Sequence, residues 1–387
     1  MQRKITKPYK IVYVVSDTVF GGGTHYFSSI VSGLDKTKYS FGVACRSNNA
    51  LENYFRDQGI QIYPFPVNSR FDIIGMIRFA QELSKENIDC VLLGDGSAWN
   101  SSFFLKFISR IPHIWSIVHM THIGLEIREF GFFERLLSML YDYTWSLWCD
   151  TIIVSNQKNA QILKSEGISR EKIHIIENGI DFQSFIIKRY TGQAALKKQY
   201  KIEEGKKVVG MLARLGPGKD FDTLFDAIKL VLDTFPECVL MLVGTGPFKA
   251  QLEQKAAYLG IGNRIIFTGW VEDAYEYIDL FDIFVFSSIA EGIPYSILEA
   301  MVLGKPIVST DNGAIGEAIF YGKTGILVPP KNARALADGL LLFLQYPEKA
   351  HLMGKGARDL IKEKFDLPIM LQKFNKLFME RLHNETR

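Results

Sequence analysis

At 387 residues the chain exceeds one ordinary core and predicts two domains of similar size. Hydrophobic residues make up 47%, charged residues 22%, and the net charge is +3, leaving little excess basic charge for sequence-independent nucleic-acid binding. Cys45, Cys90, Cys149 and Cys238 are scattered, with no metal-ligand spacing and no disulfide framework, so a reducing cytoplasm is expected. The apolar run at residues 11–15 is too short for a signal-peptide core, and no uninterrupted run reaches transmembrane length.

Residues 10–15 read as a strand, Gly21-Gly22-Gly23 as a turn, and the stretch through about Leu34 as a helix. Short apolar runs at 42–45, 90–93, 114–118 and 151–154 alternate with longer helical segments, the rhythm of a parallel sheet with helical crossovers. A last strand near Ile175 runs into Asn178-Gly179-Ile180-Asp181, and the polar stretch 184–206 is the expected linker. The rhythm restarts at 208–212 and continues through 239–243, 264–267, 283–286, 306–309 and 326–328. The expected fold class is therefore α/β, with two doubly wound Rossmann-like domains at 1–183 and 207–364. Residues 365–387 form a helix that braces both domains or lies alone on the surface. Tandem sheets of this kind set a ligand cleft between the carboxyl ends of their strands.

Several segments after strands carry candidate chemistry, each with a bland alternative. Glu291-Gly292-Ile293-Pro294 leads into an apolar stretch with Glu299, and Pro294 suits the first helical position. Eight residues at about 1.5 Å each separate the two carboxylates by up to ~12 Å. That exceeds the ~5–9.5 Å of glycosidase carboxylate pairs. Either the two glutamates are unrelated surface residues, or they grip an elongated anionic ligand such as a nucleotide sugar, with phosphates at the helix N-terminus between them. In Arg214-Leu215-Gly216-Pro217-Gly218-Lys219 a guanidinium fork and a point charge suit a diphosphate; the alternative is surface cations beside Asp220 and Asp222. No GxxxxGK[ST] phosphate loop is present.

Gly21-Gly22-Gly23 either admits a ligand to backbone amides or makes a plain turn, and it lacks dinucleotide GxGxxG spacing. Gly244-Thr245-Gly246-Pro247 reads as structural punctuation. His119, followed by His122, ends an apolar strand, where a neutral imidazole suits a sugar hydroxyl or merely satisfies a local bond; zinc-ligand spacing is missing. Aromatic residues at 130–148 read as core. Residues 103–110 mix phenylalanines with Lys106 and Arg110, which suits a membrane surface or a packed helix.

Over roughly residues 208–330 these motifs, in this order, resemble the large retaining glycosyltransferase family 4 with its two-domain GT-B fold. The resemblance rests on the Arg214 to Lys219 loop, Leu242-Val243-Gly244-Thr245-Gly246-Pro247 and Phe267-Thr268-Gly269-Trp270-Val271. It continues through the Glu291 to Glu299 segment, Gly304-Lys305-Pro306-Ile307-Val308-Ser309-Thr310 and Gly325-Ile326-Leu327-Val328-Pro329-Pro330. In the amino-terminal half it is thinner: Gly21-Gly22, His119 and Asn178-Gly179-Ile180-Asp181.

The resemblance implies a nucleotide-diphosphate sugar, UDP-linked by expectation, held mainly by the second domain. Glu291 would contact donor-sugar hydroxyls and Glu299 the ribose. Arg214 and Lys219 would hold the diphosphate, helped by amides near Gly22 and at Tyr295-Ser296, with the base near Val271 and His119 approaching the sugar from the other domain. Gly21, Gly292, Ile293 and Pro294 complete the donor-binding set. Transfer would retain configuration without a metal or other cofactor, cations replacing the metal's electrostatic role. The implied acceptor is a polysaccharide or lipid-linked glycan, served from the cytoplasm or the inner membrane face. Asp220 departs from the family pattern, which often has glycine after this lysine, and its charge would oppose phosphate. A UDP-sugar epimerase of the same architecture and a non-catalytic sugar-nucleotide-binding subunit remain the alternatives.

Overall fold

Two parallel sheets organise the chain, each within its own compact unit: Met1–Gly179 with Leu367–Arg387, and Ile180–Asp366. The computed structural model describes residues 7–16, 21–47, 49–69, 71–119, 143–187, 192–289 and 291–384.

In the first unit the strands are β1 (Tyr9–Val14), β2 (Tyr39–Cys45), β3 (Gln61–Pro64), β4 (Cys90–Leu93), β5 (His113–Val118), β6 (Thr151–Val154) and β7 (Ile173–Ile175). They lie in the order β3-β2-β1-β4-β5-β6-β7, all parallel. Strand order reverses between β1 and β4, which makes the carboxyl ends of those two strands the natural ligand crevice. Every residue of β4, β5 and β6 is buried, as expected of central strands covered on both faces. β3 escaped the sequence reading because it is an edge strand of four residues, mostly exposed and ending in Pro64.

Helices follow β1, β2 and β3 in turn. α1 (Gly22–Gly33) buries Tyr26, Phe27, Ile30 and Val31, the i, i+3, i+4 face of an amphipathic helix. α2 (Ala50–Asp57) starts at Asn49, whose side chain accepts from Glu52 N, and α3 (Ile73–Ser84) starts at Asp72, which accepts from Gly75 N.

The second unit contains β8 (Lys207–Leu212), β9 (Cys238–Val243), β10 (Ile265–Gly269), β11 (Ile283–Phe286), β12 (Ile307–Thr310) and β13 (Ile326–Val328). Their order is β10-β9-β8-β11-β12-β13, so its reversal lies between β8 and β11. The stretch 184–206 is not a free linker. It contains α4 (Gln193–Gln199), which buries Leu196, and Gln193 donates to Asp279 Oδ2 at 2.7 Å. Tyr200 stacks edge-on with Tyr277, so apolar contacts bind this segment to the second unit. The unit's other helices include α5 (Phe221–Thr234), α6 (Ala274–Leu280), on which Tyr277 and Asp279 lie, and α7 (Tyr295–Val302).

The last helix, α8 (Leu367–Asn384), belongs to the first unit and is no isolated surface helix. Phe374 and Phe378 are fully buried there, Phe374 against Tyr26 at 5.6 Å and Phe378 against Trp115 at 5.3 Å between ring centroids. Tyr39 donates to Asn375 Oδ1 at 3.0 Å, and Lys373 pairs with Glu177.

Candidate active site

Adjacency of β8 and β11 brings two of the candidate segments side by side. The loop after β8 carries Arg214 and Lys219; the loop after β11 carries Glu291. Two backbone bonds and one side-chain bond stitch them: Ile289 N donates to Gly218 O at 2.9 Å, Asp220 N to Ser287 O at 3.2 Å, and Ser288 Oγ to Gly218 O at 2.8 Å. Ser288 is itself held by Thr310, whose Oγ1 accepts from Ser288 N at 2.9 Å and donates to Ser288 O at 2.8 Å. Neither Ser288 nor Thr310 stood out in the sequence, because a hydroxyl at a strand end has no spacing signature.

The Gly244-Thr245-Gly246-Pro247 segment is the platform beneath the cationic loop. Leu215 N donates to Thr245 O and Phe248 N to Leu215 O, both at 3.0 Å. Gly244 has φ +131°, and a Cβ there would fall 2.1 Å from Ala213 O, so both conformation and space require glycine.

Within this frame Lys219 Nζ pairs with the Glu291 carboxylate and lies 4.8 Å over the Phe286 ring. Burial pushes the ammonium down to about 8, still charged at neutral pH. Glu291 is fixed further by a backbone bridge to Gly313 and by Ser288 Oγ at 3.4 Å. Arg214 is exposed on the same loop as Lys219, with no ion pair among the described residues. Asp220 is occupied elsewhere: as the N-cap of α5 its carboxylate accepts from Thr223 N at 3.1 Å and Thr223 Oγ1 at 2.7 Å. The expected opposition to phosphate is thereby reduced, since the helix start takes up its charge.

Pro294 is the N-cap of α7, extended at φ −69° and ψ 145°, so the helix begins at Tyr295, one residue later than the sequence reading. Proline's fixed φ suits both positions, and only ψ separates them. No side chain caps α7. Ile293 is buried, Gly292 and Ser296 are half-buried, and Val271 is half-buried just beyond β10. On α7 the Glu299 carboxyl is buried, its Oε2 has no hydrogen-bond partner, and burial raises it to about 7. Burial, with Glu299 beside it, also raises the Tyr295 hydroxyl. A buried carboxyl oxygen without a partner is unfavourable by about 1–3 kcal/mol, which ligand hydroxyls would relieve.

In the first unit Gly21 is the extended N-cap of α1, Gly22 its first residue, and no side chain caps the helix. A Cβ on Gly23 would touch the His119 ring at 3.4 Å, so the glycine turn and His119, proposed separately, are neighbours. His119 packs edge-on to Tyr26 with centroids 4.8 Å apart, and its carbonyl accepts from Asn159 Nδ2 at 3.0 Å. Its Nε2 is buried without a hydrogen-bond partner, and burial lowers the imidazole to about 4, leaving it neutral. His122, Phe132, Phe133 and Tyr141 lie outside the described residues. Lys106 is no free cation: it pairs with Asp150 at 2.7 Å. Among the described residues no three His, Cys, Asp or Glu side chains form a metal-binding group.

Comparison with known proteins assigns both halves. Residues 20–184 match the model described as Glycosyltransferase Family 4, and residues 192–360 match Glycosyl transferases group 1. A glycosyltransferase of Methanocaldococcus jannaschii is 28% identical over 222 residues, covering 53% of this chain and 54% of the relative, so the chain spans about half of that protein's length. The UDP-Gal:alpha-D-GlcNAc-diphosphoundecaprenol alpha-1,3-galactosyltransferase of Escherichia coli is 23% identical over 368 residues, 91% of this chain and 92% of the relative. Among solved structures, Anabaena HepE in complex with UDP-glucose superposes with TM-score 0.83 at 20% identity, covering 96% of this chain and 99% of that one.

Proposed function

The chain belongs to the glycosyltransferases of family 4 type and has their two-domain GT-B fold, and from that premise we propose that it moves a hexose or N-acetylhexosamine from a UDP-sugar to a lipid-linked glycan or polysaccharide, with retention. The observation that carries this reading is the Lys219–Glu291 pair at the strand-order reversal, on the same unit as the orphaned Glu299 carboxyl. Without ligand the two charges neutralise each other. A donor β-phosphate competes for Lys219, with Arg214 as second cation, and frees Glu291 to accept hydrogen bonds from sugar hydroxyls. Glu299 takes the ribose, the amides of Tyr295 and Ser296 face phosphate as an uncapped helix start, and Val271 lies against the base. In the first unit, taken by itself, the buried neutral imidazole of His119 beside the turn at Gly21 and Gly22 suits a sugar hydroxyl.

In the reaction, the bond from the sugar's anomeric carbon to the phosphate oxygen breaks while the acceptor oxygen bonds that carbon. The acceptor's hydroxyl proton passes to the departing phosphate. Arg214 and Lys219 supply the compensating charge in place of a metal. UDP-glucose bound to HepE and the acceptor named for the E. coli relative support the choice of donor and acceptor class.

A peripheral membrane site belongs to the same reading. No helix among the described residues is long and apolar enough to cross a membrane. In the first unit, however, Phe71, Ile73 and Phe103 are exposed at a cavity of about 330 Å³ that Met76, Trp145 and Trp148 also line, and Ile74 and Phe107 are exposed close by in sequence. Lys106 is paired while Arg110 is exposed, and we take apolar contact as the larger contribution. Replacing Phe103 and Phe107 by serine should then weaken co-sedimentation with anionic liposomes more than added salt does; the reverse order would exclude it.

The decisive experiment is a screen of labelled UDP-, GDP- and ADP-sugars with diphosphoundecaprenol-linked acceptors, followed by mass analysis. One added hexosyl or N-acetylhexosaminyl mass on the acceptor is expected. Sugar interconversion without acceptor would identify an epimerase, and binding without turnover would identify a non-catalytic subunit.

A further inference from the structure

Arg46 stands at the carboxyl edge of the first sheet, directly after β2 and one strand from the reversal between β1 and β4. It is half-buried. One terminal nitrogen donates to Asn68 O at 3.1 Å, while Nε is buried with no hydrogen-bond partner. Among the described residues no carboxylate pairs with it, and the acids of the neighbouring segments have other partners. Glu52 pairs with Arg56 at 2.5 Å, Asp72 accepts from Gly75 N at 2.8 Å and Asn68 N at 3.0 Å, and Asp95 accepts from Ser16 Oγ at 2.8 Å and Ala98 N at 3.1 Å. The same loop leads into α2, and Asn49 Nδ2 ties the Arg46 carbonyl to that helix start at 2.6 Å.

A guanidinium keeps its charge at any ordinary pH, so one neutral acceptor for five donors leaves it uncompensated. An oxyanion would complete it, and a phosphate matches the planar fork. We propose that Arg46 binds a phosphate group carried by the acceptor. This rests on the transferase reading above, and it narrows the acceptor to phosphate-bearing substrates such as prenyl diphosphate-linked sugars, as against neutral glycans.

The test is residue-resolved arginine modification of the full chain with phenylglyoxal, read by peptide mass spectrometry, with geranyl diphosphate as probe. Geranyl diphosphate should slow modification of Arg46 by about five-fold or more while leaving exposed Arg78 unchanged. Protection no greater than that given by chloride at matched ionic strength would overturn the proposal. So would equal protection by inorganic phosphate, which would mark a site for free anions. UDP-glucose protection of Arg214, read in parallel, tests the donor reading separately. If Arg214 is protected and Arg46 is not, only the present inference fails. In the transfer assay, Arg46→Gln should raise KM for a diphosphate-linked acceptor about ten-fold with kcat little changed, and Arg46→Lys should recover part of the loss. A fall in kcat alone would count against it.

Discussion

The carboxyl edges of the two sheets are built in opposite ways. In the second unit three of the charged side chains already have protein partners, Lys219 meeting Glu291 and Asp220 capping α5, while Arg214 is exposed. In the first unit the polar candidates have vacancies, Nε2 of His119 and Nε of Arg46 both being buried without a partner. The second edge must exchange protein partners for ligand, so its geometry is set before binding. The first edge gains partners, so its ligand is defined by what is missing. Glu299 is the exception that behaves like the first unit, a buried carboxyl with an unsatisfied oxygen.

The largest test of this contrast is Lys219→Ala. Transfer should fall about 100-fold or more with the circular dichroism unchanged, and Glu291→Ala should do the same. Because the two side chains form one pair, the double variant should lose little beyond either single one. Near-normal activity in well-folded single variants would remove the site assignment.

Next comes Glu299→Gln, which probes the exception. The folded carboxyl is raised to about 7, so the stability linked to its protonation is present at low pH and lost as pH rises towards 7. The glutamine variant should therefore gain stability over the native chain through that window, by roughly 1–3 kcal/mol at pH 8 and almost nothing at pH 4. Donor KM should rise in the same variant. Denaturant titrations at the two pH values check the sign, and a pH-independent difference would contradict a buried titrating carboxyl.

A smaller effect is expected in the first unit. His119→Ala should slow transfer about ten-fold, the loss of one hydrogen bond to substrate. Since burial holds the imidazole near 4, the native rate profile between pH 6 and 8 should show no limb that disappears in this variant. Smallest of all is Asp220→Asn: the cap survives, and donor KM should change by less than about two-fold. A much tighter donor would mean that the Asp220 charge does reach the phosphate.

Much of this was legible from periodicity. The runs at Cys90–Leu93, Thr151–Val154, Ile283–Phe286 and Ile326–Val328 are strands with the expected bounds, because buried parallel strands are short, apolar and sharply punctuated. β3 was not, since an exposed edge strand lacks that contrast. Stretch 184–206 looks polar enough for a linker, yet buried Leu196 and Ile202 and the Tyr200–Tyr277 contact decide its place. At the site, residues with charge at motif spacing were readable, including Lys219 and Glu291. Their supports were not: Ser288, Thr310 and Phe286 act through contacts between segments distant in sequence. Arg46 carries no motif at all, and its interest arises from the company that each neighbouring acid already keeps.

The placement of α8 bears on how the protein is made. On a ribosome the second unit, ending at Asp366, is complete before Leu367 is added. The first unit must wait, with Trp115, Tyr26 and Tyr39 lacking Phe378, Phe374 and Asn375 until α8 emerges. Although its strands are translated before the second unit, it is completed after that unit, and a nascent chain therefore shows its aromatic surface to chaperones throughout synthesis of the second unit.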